Sequence, residues 1–228
     1  MPRSNLKGET MMIHPMIPTV GIWRLQGENI PREVLSLILS AILFVGISLL
    51  VAWALCRVLQ RQNFKAKTAV VLPLFGLLSL ALFARFGLSV TAIQGLFLAF
   101  VFLYASCSDI ATHEVGDYAW VLILALAIPS LATQSILSMV LAALFVFLPQ
   151  MIPAWLPPHR TLGGADIKIS TALAFLLGGW RGIVAYLAGL IIAVLFVSIY
   201  GRIRRIPKKQ PFALVPFLSV AAMALFFV

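Results

Sequence analysis

Residues 34–56 read Val-Leu-Ser-Leu-Ile-Leu-Ser-Ala-Ile-Leu-Phe-Val-Gly-Ile-Ser-Leu-Leu-Val-Ala-Trp-Ala-Leu-Cys, without one charged side chain. At about 1.5 Å of rise per residue, a helix of this length crosses the hydrocarbon of a bilayer. Backbone in lipid must satisfy its own hydrogen bonds, so the stretch is expected to be a helix rather than a lone strand. Further apolar windows follow at 69–86, 90–108, 118–134, 136–152, 164–179, 182–200 and 212–228. The expected fold is therefore all-α, a polytopic transmembrane helical bundle of about eight spans. Residues 1–33 are polar, mixed in charge and interrupted by Pro2, Pro15, Pro18 and Pro31, and read as an extramembrane N-terminal segment ahead of a transmembrane domain at 34–228. The first apolar run is too long and too late for a cleavable signal peptide.

Composition supports the same class. The chain has 228 residues, 62% of them hydrophobic and only 11% charged, with a mean hydropathy of +1.06. Those values lie outside the range of soluble globular domains. The formal net charge of +10 invites a nucleic-acid reading, but most Lys and Arg fall in short loops between apolar runs, where they set membrane orientation; no nucleic-acid partner is expected. Arg57, Arg61, Lys65 and Lys67 form one such loop, and Arg202, Arg204, Arg205, Lys208 and Lys209 another. Taking both as cytoplasmic and counting spans puts the 109–117 loop and the 153–163 loop, with His159 and Arg160, on that same side, and both termini outside. Cys56 and Cys107 are single and distant, and are expected to be small buried residues rather than a metal site or a disulfide.

Past residue 33 the chain keeps four acidic side chains, Asp109, Glu114, Asp117 and Asp166. Carboxylates beside lipid are expensive and call for a reason. Asp109 closes an apolar helix and lies in Tyr104-Ala-Ser-Cys-Ser-Asp109-Ile-Ala-Thr-His113-Glu114-Val-Gly116-Asp117-Tyr118. A negative charge there opposes the helix macrodipole. Asp117 is well placed as the N-cap of the next helix. Asp166 lies in Arg160-Thr-Leu-Gly163-Gly164-Ala165-Asp166-Ile-Lys168-Ile-Ser170, where it serves equally well as a cap or as a functional group, with Lys168 as a local counter-charge or a snorkelling side chain. Span counting brings Asp109 and Asp166 to one membrane face. Two neighbouring carboxyls cannot both ionise cheaply, and a pair holding one proton can activate a water and polarise a carbonyl. His113 and Glu114 lack a second His at metalloprotease spacing, Ser106, Ser108 and Ser170 lack a nucleophile-elbow context, and His113 with His159 does not make a triad. Neither a metal nor a cofactor is expected.

The two aspartate segments resemble the motifs of the type IV prepilin peptidases, membrane aspartyl proteases of the GxGD class. The likeness covers roughly residues 95–225 and takes in Ile169 to Trp180 and Gln210 to Leu218. It implies that Asp109 and Asp166 are the catalytic pair, and that the substrate is the leader peptide of type IV pilin-like or pseudopilin precursors, cut at the cytoplasmic face of the cell membrane. Gly163 and Gly164 would leave room for an extended peptide, and Lys168 matches a basic position that follows the second aspartate, with either a bias on the pair's protonation or a lipid headgroup contact as its role. Ala165 stands where the family has a glycine, and Gly116 where it commonly has a proline. The 57–68 loop is too short for the cysteine-rich domain of the bifunctional members, so a peptidase without it is expected and N-methylation is left unsupported. Two other classes remain: a small multispan transporter coupled to ions or protons, and a catalytically silent subunit of a pilus or secretion assembly.

Overall fold

The structure is a computed structural model that describes residues 30–62, 64, 67–155, 163–204 and 212–228. Most of the expected extramembrane segment 1–33 lies outside the described residues, as do Lys65, His159, Arg160, Arg205, Lys208, Lys209, Gln210 and Pro211. Among the described residues there are eight α-helices and no strand: α1 (Ile30–Arg61), α2 (Thr68–Phe86), α3 (Val90–Thr112), α4 (Tyr118–Leu126), α5 (Ile136–Trp155), α6 (Gly164–Leu177), α7 (Gly179–Arg204) and α8 (Val215–Phe226).

Four of these, α1, α2, α3 and α7, are long and apolar enough to cross a membrane, and the apolar helical segments at Tyr118–Ala132, Ile136–Ile152 and Val215–Phe226 are shorter. Several boundaries differ from the sequence expectation. Helix α1 starts at Ile30 and runs to Arg61, so Arg57 and Arg61 belong to its last turns rather than to a loop. Arg57 lies over the ring of Trp53 at 5.1 Å, which lets a cation remain on an otherwise apolar helix. The 118–134 window is broken: α4 has nine residues, and Pro129 opens a single 3-10 turn to Ala132. The break between α6 and α7 falls at Gly178 and Gly179, both with positive φ. A side chain at Gly178 would be strained there and would also collide with Gln134.

Helix α3 is the hub because it is buried on two sides. On one side Ala92, Leu96 and Ala99 pack with Phe44, Ala52 and Cys56 of α1 and with Val71, Phe75 and Leu82 of α2. On the other, Leu98, Phe102 and Ala105 join Ala119 and Ile123 of α4, Ile169 and Leu173 of α6, and Val215 and Leu218 of α8. Small residues allow these close approaches, as in membrane interfaces generally. A Cβ at Gly189 on α7, for instance, would stand 3.0 Å from the Leu218 backbone of α8. Cys56 is buried as expected, whereas Cys107 is partly exposed; both are free thiols.

The outer surface is apolar. Leu35, Leu39, Ile42, Leu43 and Leu50 on α1 and Ile191, Val194, Leu195, Ile199 and Ile203 on α7 are all exposed. Patches of that extent are what a lipid solvent covers. At the end that holds Asp109, α1 closes against α3 through a bond from the Tyr104 hydroxyl to Oε1 of Gln62 (2.7 Å). At the opposite end Gln94 donates to the Leu126 carbonyl (2.6 Å) and to Oγ of Ser130 (2.8 Å), which secures the broken α4 segment.

Candidate active site

Asp109 sits in the last turn of α3 and is only 5% exposed. The helix stops at His113, which adopts a left-handed conformation (φ 54°) and donates its N–H to the Asp109 carbonyl at 2.9 Å. Ser108 then fastens the following loop by donating to the Glu114 carbonyl (2.8 Å). The opposed macrodipole expected at Asp109 has a specific remedy. Val215, the first residue of α8, donates its N–H to Oδ2 of Asp109 at 2.9 Å, so the carboxylate faces the positive end of a second helix.

The donors at that helix end can be followed one by one. Pro216 has no N–H to satisfy, and Phe217 and Leu218 donate to the Leu214 carbonyl at 3.1 and 3.2 Å. The Val215 N–H remains, and it goes to Oδ2 of Asp109. Among the described residues, no side chain of its own segment caps α8. Asp109 therefore does the capping from 106 residues away in sequence.

Asp166 lies in the first turn of α6, half-buried, with its N–H on the Gly163 carbonyl (3.1 Å). Its carboxylate folds back over Gly163 so closely that a Cβ on that glycine would stand 3.0 Å from Oδ2. Among the described residues nothing lies within 4 Å of the corresponding position on Gly164. Ala165 is an ordinary helical residue, since among the described non-glycine residues positive φ occurs at His113 alone. The extra methyl therefore costs nothing in backbone strain. Helices α3 and α6 share the core cluster that includes α4 and α8, and Asp109 is near enough for its charge to act on Asp166.

Asp117 occupies the N-cap position of α4 but makes no capping bond, contrary to the sequence expectation. Its Oδ1 instead accepts from Nε1 of Trp120 (2.9 Å) and from Nζ of Lys168 (2.6 Å). Those donors, Lys168 foremost, hold the Asp117 carboxyl below the usual carboxylate range. Lys168 also stands 5.8 Å over the Trp120 ring. The basic residue after Asp166 is thus a cross-link from α6 to α4, an arrangement its motif position did not reveal. Gly116 lies under the ring of Tyr118, where a Cβ would approach Cε1 to 2.7 Å.

His113 and Glu114 are exposed, and among the described residues no three His, Cys, Asp or Glu side chains converge on one point. Ser170 is buried and donates to Oε1 of Gln150 (3.0 Å). Ser106 faces Ser219 at 3.4 Å. These serines tie helices together.

An all-helical bundle in which four helices are long and apolar enough to cross a membrane, with Asp109 and Asp166 at one end, defines a class: a helical membrane protein. Residues 96–202 match the model of the type IV leader peptidase family, which is a peptidase family. The match runs from α3 into α7 and contains both aspartates, whereas α8, which supplies the Val215 N–H to Asp109, lies beyond it. No curated protein and no solved structure matches the chain.

Proposed function

We propose that this chain is an aspartic endopeptidase that removes the leader peptide from type IV prepilin-like precursors at the cytoplasmic face of the cell membrane, with Asp109 and Asp166 as the catalytic pair. The observation that carries this reading is that the two aspartates of the family-matched segment share one end of the bundle, one buried and one half-buried, with the charge of the first acting on the second.

In the resting pair one proton serves two carboxyls. The Val215 N–H on Asp109 favours the form in which that proton sits on Asp166. A water between the two loses a proton to Asp109 as its oxygen attacks the scissile carbonyl carbon. Asp166 gives its proton to the carbonyl oxygen, which yields a gem-diol. Collapse breaks the C–N bond, Asp109 returns its proton to the leaving nitrogen, and Asp166 recovers one from the diol. Gly164, with nothing among the described residues within 4 Å of a Cβ built on it, leaves room for an extended leader segment beside Asp166.

Charge supports the assignment of sides. Among the described residues Arg57, Arg61, Lys67, Lys168 and Arg202 belong to the aspartate end, against Arg32, Arg85 and Arg181 at the other, in keeping with a cytoplasmic aspartate end. The proposed partners are precursor proteins and membrane lipid, and the proposed chemistry uses no cofactor.

The test is to co-express the chain with candidate type IV prepilins and pseudopilins and to follow the precursor's mass. Loss of the leader mass supports the reading. Retention of the leader across several precursors, with the chain inserted in the membrane, contradicts it.

A further inference from the structure

Helix α8 is held at both ends by side chains from other helices. Asp109 of α3 accepts the Val215 N–H at its start. Beyond its far end, Nε of Arg85 at the close of α2 donates to the Phe227 carbonyl (3.3 Å), and a guanidinium nitrogen of Arg181 at the opening of α7 donates to the Val228 carbonyl (3.2 Å). The signs suit the helix: an acid at the N-terminus and two cations at the C-terminus each complement the macrodipole. Both arginines are half-buried beside a cavity of about 990 Å³ whose lining contains no Asp or Glu side chain. The carbonyls that follow α8 are therefore their evident anchor.

We infer that Arg85 and Arg181 are positioning residues for Asp109, acting through α8 from the opposite end of the bundle. The helix has 12 residues and spans about 18 Å. Its interior is packed tightly, with Val215, Leu218, Ala221 and Ala222 all buried, so it transmits displacement as a rod. Among the described residues, no side chain of its own segment caps its start. The arginine clamp behind the rod and Asp109 in front of it add to the side packing that sets its axial seat. Release of the clamp lets α8 shift along its axis, the Val215 N–H leaves Oδ2, and the carboxyl loses the bond that fixes its direction toward Asp166. The catalytic consequence rests on the proposed aspartate mechanism; the structural link does not.

The experiment uses the full chain in lipid vesicles and compares wild type with Arg85→Gln, Arg181→Gln, their combination, and Arg85→Lys. Two quantities are read: hydrogen exchange at the Val215 amide, and kcat and KM for leader removal. An amide at the first position of a helix has no partner within that helix, so its protection reports the Asp109 bond. Asp109→Ala provides the unprotected reference. The expected result is loss of Val215 protection in the double Gln variant, a fall in kcat of roughly 10- to 100-fold with KM nearly unchanged, and partial rescue of both readouts in Arg85→Lys relative to Arg85→Gln. Unchanged Val215 protection overturns the inference, as does lost protection with kcat unchanged. If the double variant does not fold, the single variants decide by the same two readouts. If wild type removes no leader, the peptidase reading fails by itself while the exchange data still test the clamp.

Discussion

A Cβ on Gly163 would stand 3.0 Å from Oδ2 of Asp166, tighter than ordinary van der Waals contact. Among the described residues nothing stands within 4 Å of a Cβ built on the neighbouring Gly164, so the two adjacent glycines differ in their surroundings. The Asp166 carboxylate rests against Gly163.

Gly163→Ala is therefore expected to turn the Asp166 carboxylate away and to lower turnover roughly 10- to 100-fold, whereas Gly164→Ala changes it by no more than about twofold. Single-turnover rates on a prepilin substrate check this. Equal losses in both variants would contradict the division of roles.

Gly116 lies beneath the Tyr118 ring, with Cε1 only 2.7 Å from where a Cβ would be built. Gly116→Ala should thus destabilise the chain by about 1 kcal/mol or more through overpacking, and Gly116→Pro should do so as well. Thermal unfolding checks the sign. In a Tyr118→Leu background the cost of Gly116→Ala should shrink, because the clashing ring is gone.

The Asp117–Lys168 pair joins the start of α4 to the first turn of α6. Since the folded-state pKa of Asp117 lies below its ordinary value, the contribution of the pair is fully present above that ordinary value, about 3.9, and is lost as pH falls through the depressed folded value. Both side chains are at least half-exposed, so added salt should weaken the contribution. The gap in unfolding temperature between wild type and Asp117→Asn is expected to be open at pH 7 and closed in strong acid. A gap that widened in acid would contradict the assignment.

The helical class and the two aspartate segments were legible because they are local properties of the chain. Uncharged runs of membrane length give helices, and a carboxylate beside such a run is conspicuous against a background of apolar residues. What surrounds the carboxylates was not legible. The Val215 N–H reaches Asp109 across 106 residues, and Lys168 meets Asp117 across 51. Neither follows from spacing along one helix. Pro216 did carry a usable signal, since proline in the first turn marks a helix start and a helix start attracts an anion. Asp117 shows the limit of local rules: it occupies the cap position, yet its Oδ1 accepts from Trp120 and Lys168, the latter a donor on another helix. The break at Ile128 to Ala132 was hidden because Pro129 stands in an apolar window whose average hydropathy suits a span.

The most direct measurement is leader removal from a purified prepilin in lipid vesicles by wild type, Asp109→Asn and Asp166→Asn, with thermal unfolding of each recorded alongside. The aspartate mechanism predicts a fall of roughly 10²- to 10⁴-fold in kcat for both variants, with each still folded. Cleavage by either folded variant at a rate close to wild type would contradict it.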